Sequence, residues 1–315
     1  MPQTRHRMLL ILLAPAALLA AVWVYRMGGK APAVSWPARV PEAAAVASAP
    51  RQAPVPLSRP AEARAQVAAG LPVNRRAAFE GESDLYRYAQ QLAQAARGGD
   101  AEASWMLSRV YDYCAAYAQN PAGYAADNTT LASHANPAVA AMIDARQHLQ
   151  TRCTGFVASD GLTAANILAQ RTQAAQAGNL AAEAALLSLG QPLDSTAAYR
   201  RGLVQRVLAS RDPEAYLALS GAMGVSARGD DAYRGYVAGD QFSQLAWQLA
   251  ACRLGLACGA ESNLMTSYCA NGGICSADAS QDFPSFVYDA AVPRQSADKM
   301  DEMVNTLVSG MGVTS

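Results

Sequence analysis

Lysine is almost missing from this chain: Lys30 and Lys299 are the two copies, and the other cations are arginines scattered among the acids with no block of either sign. The formal net charge is +0 at pH 7. A sequence without a concentrated basic surface lacks the counterion-release term that nucleic-acid binding depends on, so no nucleic-acid partner is expected. Histidine is as scarce; beyond His6, His134 and His148 each stand alone in sequence and read as surface or helix-face residues. A nucleophile elbow, a P-loop, a dinucleotide fingerprint and a paired-histidine zinc helix are all missing, so no cofactor, metal or catalytic set is expected. Runs of β-branched residues are absent as well, which argues against strands. No cysteine precedes Cys114, which leaves no lipoprotein attachment site near the amino end.

What the amino end does contain is an uncharged stretch, Met8 to Tyr25, behind Arg5, His6 and Arg7. As a helix it would be about 27 Å long, close to a bilayer core. Trp23 and Tyr25 suit an interface, and the stronger positive cluster on the near side keeps the amino terminus cytoplasmic. The expectation is an uncleaved anchor over residues 1–26, with a removed signal peptide as the rival, cleaved behind Ala20 or Ala33. On the first reading the protein is single-pass in a bacterial inner membrane with its carboxyl-terminal domain in the periplasm. On the second it is secreted or periplasmic. Seven prolines between Pro32 and Pro60, interleaved with alanine, make residues 27–62 a semi-extended tether, and residues 63–315 remain as the exported domain.

That domain reads as helical, with alanine abundant and breaks at Gly, Pro, Asn and Asp. The spacing predicts helices over 83–97, 101–115, 137–152, 162–176, 180–188, 195–210, 213–223, 242–254, 262–269 and 296–309. Asp100, Asp194 and Asp212 stand as their capping residues. Ala95-Ala96-Arg97-Gly98-Gly99-Asp100 is matched by Ala174-Ala175-Gln176-Ala177-Gly178-Asn179, with Leu107 and Leu186 each 8 residues past the glycine. Arg211-Asp212-Pro213 opens a third, weaker copy. Each unit is a helix, a left-handed turn and a second helix packed through small residues.

On these residues the segment 88–111 resembles the Sel1-like, tetratricopeptide-related repeats, with Tyr111 at the family's tyrosine position and Ser108 where the family has glycine. The resemblance covers about a quarter of the domain, and the copies are 79 and then 33 residues apart, against the family's regular mid-thirties period. It implies that the all-α domain, placed after the N-terminal transmembrane helix expected above, is built as a helix-hairpin array, with Gly99, Asp100, Gly178, Asn179 and Asp212 shaping the turns. An irregular helical domain whose hairpins look alike by composition is the alternative.

Six cysteines, Cys114, Cys153, Cys252, Cys258, Cys269 and Cys275, make an even set suited to disulfides in an exported chain. Cys114 with Cys153 is the expected first bridge. The other four pair locally, Cys252 with Cys258 and Cys269 with Cys275, or nested, Cys252 with Cys275 and Cys258 with Cys269. Their five-residue spacings disfavour a zinc site, and no Cys-x-x-Cys pair is present for redox work.

The function these features point to is protein–protein interaction or scaffolding: stacked hairpins expose a groove that docks another envelope protein, while the amino-terminal helix contacts the membrane. A second reading rests on Glu261-Ser262, which resembles the catalytic pair of lytic transglycosylases, although that family's downstream Gly-Leu-Met-Gln element is missing. It requires Glu261 to sit at the base of a concave pocket. A stalked domain with a purely structural role is the third.

Overall fold

Alanine, leucine and aromatic residues recurring at helical spacing give each segment one face that must be covered, and helices covering helices is how the chain covers them. The computed structural model describes residues 74–134 and 136–310. Among them every regular element is helical. In chain order they are α1 (Arg75–Gly81), α2 (Leu85–Arg97), α3 (Ala101–Gln119), α4 (Pro121–Leu131), α5 (Pro137–Cys153), α6 (Ala164–Gln176), α7 (Leu180–Ser188), α8 (Ala197–Ser210), α9 (Pro213–Met223), α10 (Gln241–Arg253), α11 (Asn263–Ala270), α12 (Phe283–Ala291) and α13 (Ala297–Ser309). Single turns of 3-10 helix punctuate the loops at Ala158–Asp160, Val225–Ala227, Asp231–Tyr233 and Arg294–Ser296.

Local chemistry fixes most of the starts. Asp100, Asn179 and Asp212 accept from the backbone N–H groups of Ala103, Ala182 and Glu214 at 3.0, 2.9 and 3.0 Å, satisfying donors that a helix start leaves free. For α8 the cap is Thr196, accepting from Tyr199 N at 3.2 Å, and not Asp194, which takes the Thr196 N–H instead. Three helices have no counterpart in the sequence reading. Two of them, α4 and α12, carry a proline in the first turn, where it is tolerated, and α1 buries a single side chain, Phe79.

The hairpin array expected from the repeated turns gives way to a non-repetitive bundle. The turn copies are alike locally: Gly99 and Gly178 hold φ of +89° and +90°, and Arg211 takes the left-handed position in the third copy at +53°. The packing around them is not periodic. The turns are separated unequally because α4 and α5 are inserted between α3 and α6; α5 packs on α11, and α9 lies chiefly against α7 and α10 and only lightly against its predecessor α8. Hairpins of unequal length present unequal faces, and a solenoid needs equal ones.

The expected anchor is also corrected. No helix among the described residues is long and apolar enough to cross a membrane; the longest, α3, carries Glu102, Arg109 and Asp112. The segments 1–26 and 27–62 lie outside the described residues. The described structure therefore does not support the single-pass inner-membrane topology or membrane contact through an N-terminal helix.

One core runs through the bundle, with Trp105, Trp247, Tyr88 and Tyr216 its largest fully buried side chains. Alanines at 89, 103, 174, 182, 184, 215, 246, 250 and 251 are buried between neighbouring helices and let them approach closely. Cys114 is bonded to Cys153, joining α3 to the end of α5 across 39 residues, while Cys252–Cys258 and Cys269–Cys275 each close 6. The late cysteines are thus paired locally and not nested.

Candidate functional site

The turn residues singled out in the sequence converge at one end of the bundle, gathered by α1. Arg75 forks onto Asp100 at 2.9 and 2.6 Å, and Arg76 forks onto Asp212 at 2.6 and 3.0 Å while reaching Glu102 at 3.3 Å. Asn179 closes the set by donating to Glu102 at 2.9 Å. Two cations therefore grip the starts of α3 and α9, and α7 joins them through Glu102. The Asp100 carboxyl is held below its ordinary range, first by Arg75 and then, against a smaller desolvation, by the backbone N–H of Ala103. Gly99 and Gly178 shape the turns and reach nothing beyond them.

The other end of α1 enters a buried polar knot. The Phe79 carbonyl accepts from Asn263 Nδ2 at 2.9 Å and from the Arg152 guanidinium, which also donates to the Glu82 carbonyl at 2.9 Å and to Asn263 Oδ1. The Glu80 carboxylate accepts the Asn263 backbone N–H at 2.9 Å. Burial raises the Glu80 carboxyl above its ordinary range, and the Asn263 hydrogen bond with the charges of Arg109 and Arg152 only partly offsets this.

Beside this knot lies a hollow of about 420 Å³. One face of α3 supplies Trp105, Arg109, Asp112 and Tyr113, at i, i+4, i+7 and i+8; α6 adds Arg171, the end of α7 adds Ala185, Ser188 and Leu189, α9 adds Leu217 and Ala218, and α11 adds Leu264, Ser267 and the buried Asn263. Phe79 forms part of the wall, its ring meeting Tyr113 edge-on at 5.8 Å. The α7 and α9 walls are brought close at Gly221, where an added Cβ would lie 3.3 Å from Ser188 Cβ. Ser188 then ties them, donating to the Ala218 carbonyl at 2.6 Å and accepting from Ala222 N at 3.0 Å.

Two guanidinium groups flank the Trp105 ring, Arg109 at 5.8 Å and Arg171 at 6.0 Å from its centroid. Arg109 is paired with the buried Glu214, whose position in the first turn of α9 also favours negative charge. Arg171 meets Asp112 at 2.6 Å. The Trp105 indole N–H and the Arg171 Nε–H are buried without a hydrogen-bond partner, an uncommon condition for such donors.

Glu261 and His148, singled out in the sequence, fall elsewhere. Glu261 is exposed at the side of a separate hollow of about 360 Å³ that Asp144, His148 and Asp278 also line. A general acid for glycoside cleavage is kept protonated by burial, a condition this position does not meet. Partial burial, reinforced by the charge of Arg152, lowers the His148 pKa. In the Arg228-Gly229-Asp230 tripeptide both charged groups are engaged, Arg228 with the Gly239 carbonyl at 3.2 Å and Asp230 with Arg200 at 3.0 Å. Tyr233 and Trp247 are core residues. Asn128, the first residue of a glycosylation sequon, is buried and bonded to Gln150 and Arg146. Among the described residues no cluster of His, Cys, Asp or Glu is arranged to hold a metal ion.

Arg75, Arg76, Arg109, Arg152 and Arg171 are not legible as a site in the sequence, because arginines scattered over four helices carry no motif. The placement of Arg109 one helical turn after Trp105 was the one available sign. Compared with protein-family profiles, curated proteins and solved structures, the chain matches none.

Proposed function

We propose that the protein is an interaction module whose hollow between α3, α6, α7, α9 and α11 receives a short segment of another protein. The observation that carries this reading is the hollow itself, with a mostly aliphatic and aromatic wall. Pockets of this size take one or two large side chains of a peptide. Leu189, at 49% exposure, offers an apolar contact on the same wall.

The test is panning of a random peptide library on the full chain, with Leu189→Glu as comparison, a change at an exposed position that leaves the core alone. Enriched peptides are expected to carry apolar or aromatic residues and to lose about tenfold or more in affinity on the Leu189→Glu protein, equivalent to roughly 1.4 kcal/mol. Peptides that bind both proteins equally, or no enrichment at all, would remove the proposal.

A further inference from the structure

We infer that α1 is a strap occupying the head of this groove in the manner of a bound peptide, displaceable by a segment of the same chemistry: two adjacent cations followed, one helical turn on, by an aromatic residue. The helix is 7 residues long and buries one side chain, Phe79. It is held at its start by paired charges and by the Tyr88 hydroxyl, which donates to the Arg75 carbonyl at 2.8 Å, and at its end by the Phe79 carbonyl and the Glu80 carboxylate, both accepting from Asn263. Those charges are not deeply buried; Arg75 and Arg76 keep 20% and 34% of their side-chain surface in solvent. Charge pairs of this kind are screened by salt and contribute modestly to stability, whereas the helices beneath are locked by a buried apolar core.

Much of the surface under α1 keeps partners of its own. Asp100 and Asp212 are fixed as helix caps by their own backbone partners, Glu102 is tied by Asn179, and Arg152 is bonded to Asn263. Lifting α1 would leave three carboxylates, Asp100, Glu102 and Asp212, without their cations, next to an aromatic slot bounded by Tyr113 and Arg109. That charge pattern is complementary to a basic segment ending in an aromatic side chain. The identity of the competitor rests on the docking role proposed above; the displaceability of α1 does not, and the two are read separately.

Amide hydrogen exchange on the full chain at about 50 mM and about 500 mM salt reads the strap, because screening acts on exposed pairs and little on a packed core. The amides of Ala78 and Glu82 are expected to exchange at least about tenfold faster than those at the centre of α3, and faster again at high salt. A labelled peptide of residues 74–82 reads the site. It is expected to bind the Arg75→Glu/Arg76→Glu full chain about tenfold or more tightly than the wild type, in which α1 competes, and to fail when its phenylalanine is replaced by alanine. Phe79→Ala, which keeps both charge pairs, serves as the second chain should the double variant be misfolded. Exchange in α1 as slow as in α3 at both salts overturns the strap. Peptide binding that does not improve in a folded variant whose α1 amides exchange freely overturns the competing segment.

Discussion

The seam where α7, α9 and α10 pack and the head of the groove under α1 are built from opposite materials. In the seam Ala182, Ala184, Ala215, Leu219, Ala246 and Trp247 are buried together, and the polar crossings are few: Ser188 with the α9 backbone, and Gln248 donating to Ser220 at 3.5 Å. At the head, arginines grip carboxylates and a single aromatic ring supplies the apolar contact. Dispersion and burial in the seam do not respond to salt or acid, while the head is held by interactions that do. One molecule can therefore keep a fixed frame and a responsive end.

Removing the seam's largest side chain gives the greatest effect. Trp247→Ala takes away a fully buried ring and the indole bond to the Val237 carbonyl at 2.8 Å. It is expected to cost about 3–5 kcal/mol, read as a fall in the urea midpoint of the whole chain. A loss confined to local exchange would break the distinction between frame and end.

The bridges sharpen it next. Opening Cys114–Cys153, which closes 39 residues and holds α5 with its Arg152 beside α3, is expected to cost about 4 kcal/mol in the chain-entropy model. Opening Cys252–Cys258, which closes 6, is expected to cost about 2 kcal/mol. Paired Cys→Ser variants unfolded in urea provide the comparison, and equal losses would mean that native strain or residual structure outweighs loop closure.

The smallest effect is a pH signature at the head. Because burial raises the Glu80 carboxyl, the folded chain binds that proton more readily than the unfolded one, so its contribution is fully present at acid pH and lost as pH rises through the folded value. Glu80→Gln keeps an acceptor for Asn263 N and removes the buried charge. Its melting temperature is expected to exceed the wild type's at neutral pH by a few degrees, under about 1 kcal/mol, with the difference closing as pH falls below about 4. A variant less stable than wild type at neutral pH would show that the Glu80 charge is needed by Arg109 and Arg152.

Helical segments with strong periodicity and a side-chain cap were readable directly, as with α7 and α9, whose bounds match the spacing at both ends. The short or proline-led helices α1, α4 and α12 were not, since seven residues with one apolar anchor carry no period and a proline reads as a break until its place in the first turn is known. The repeated glycine turns were legible as local shapes, but likeness of turns is no measure of likeness in packing. The groove was hidden for a related reason: Phe79, Trp105, Arg171, Leu217 and Leu264 come from five helices and share no sequence signal.

The sequence by itself determined that these residues form helices, where most begin, and that six thiols are available for pairing, because propensity, capping and composition act over a few residues. Which helices touch, which cysteine meets which, and that Asp100, Asn179 and Asp212 meet under two arginines of α1, only the tertiary structure decided. Those outcomes depend on faces brought together across as many as 184 positions of the chain, as between Phe79 and Asn263, and no local rule reaches that far.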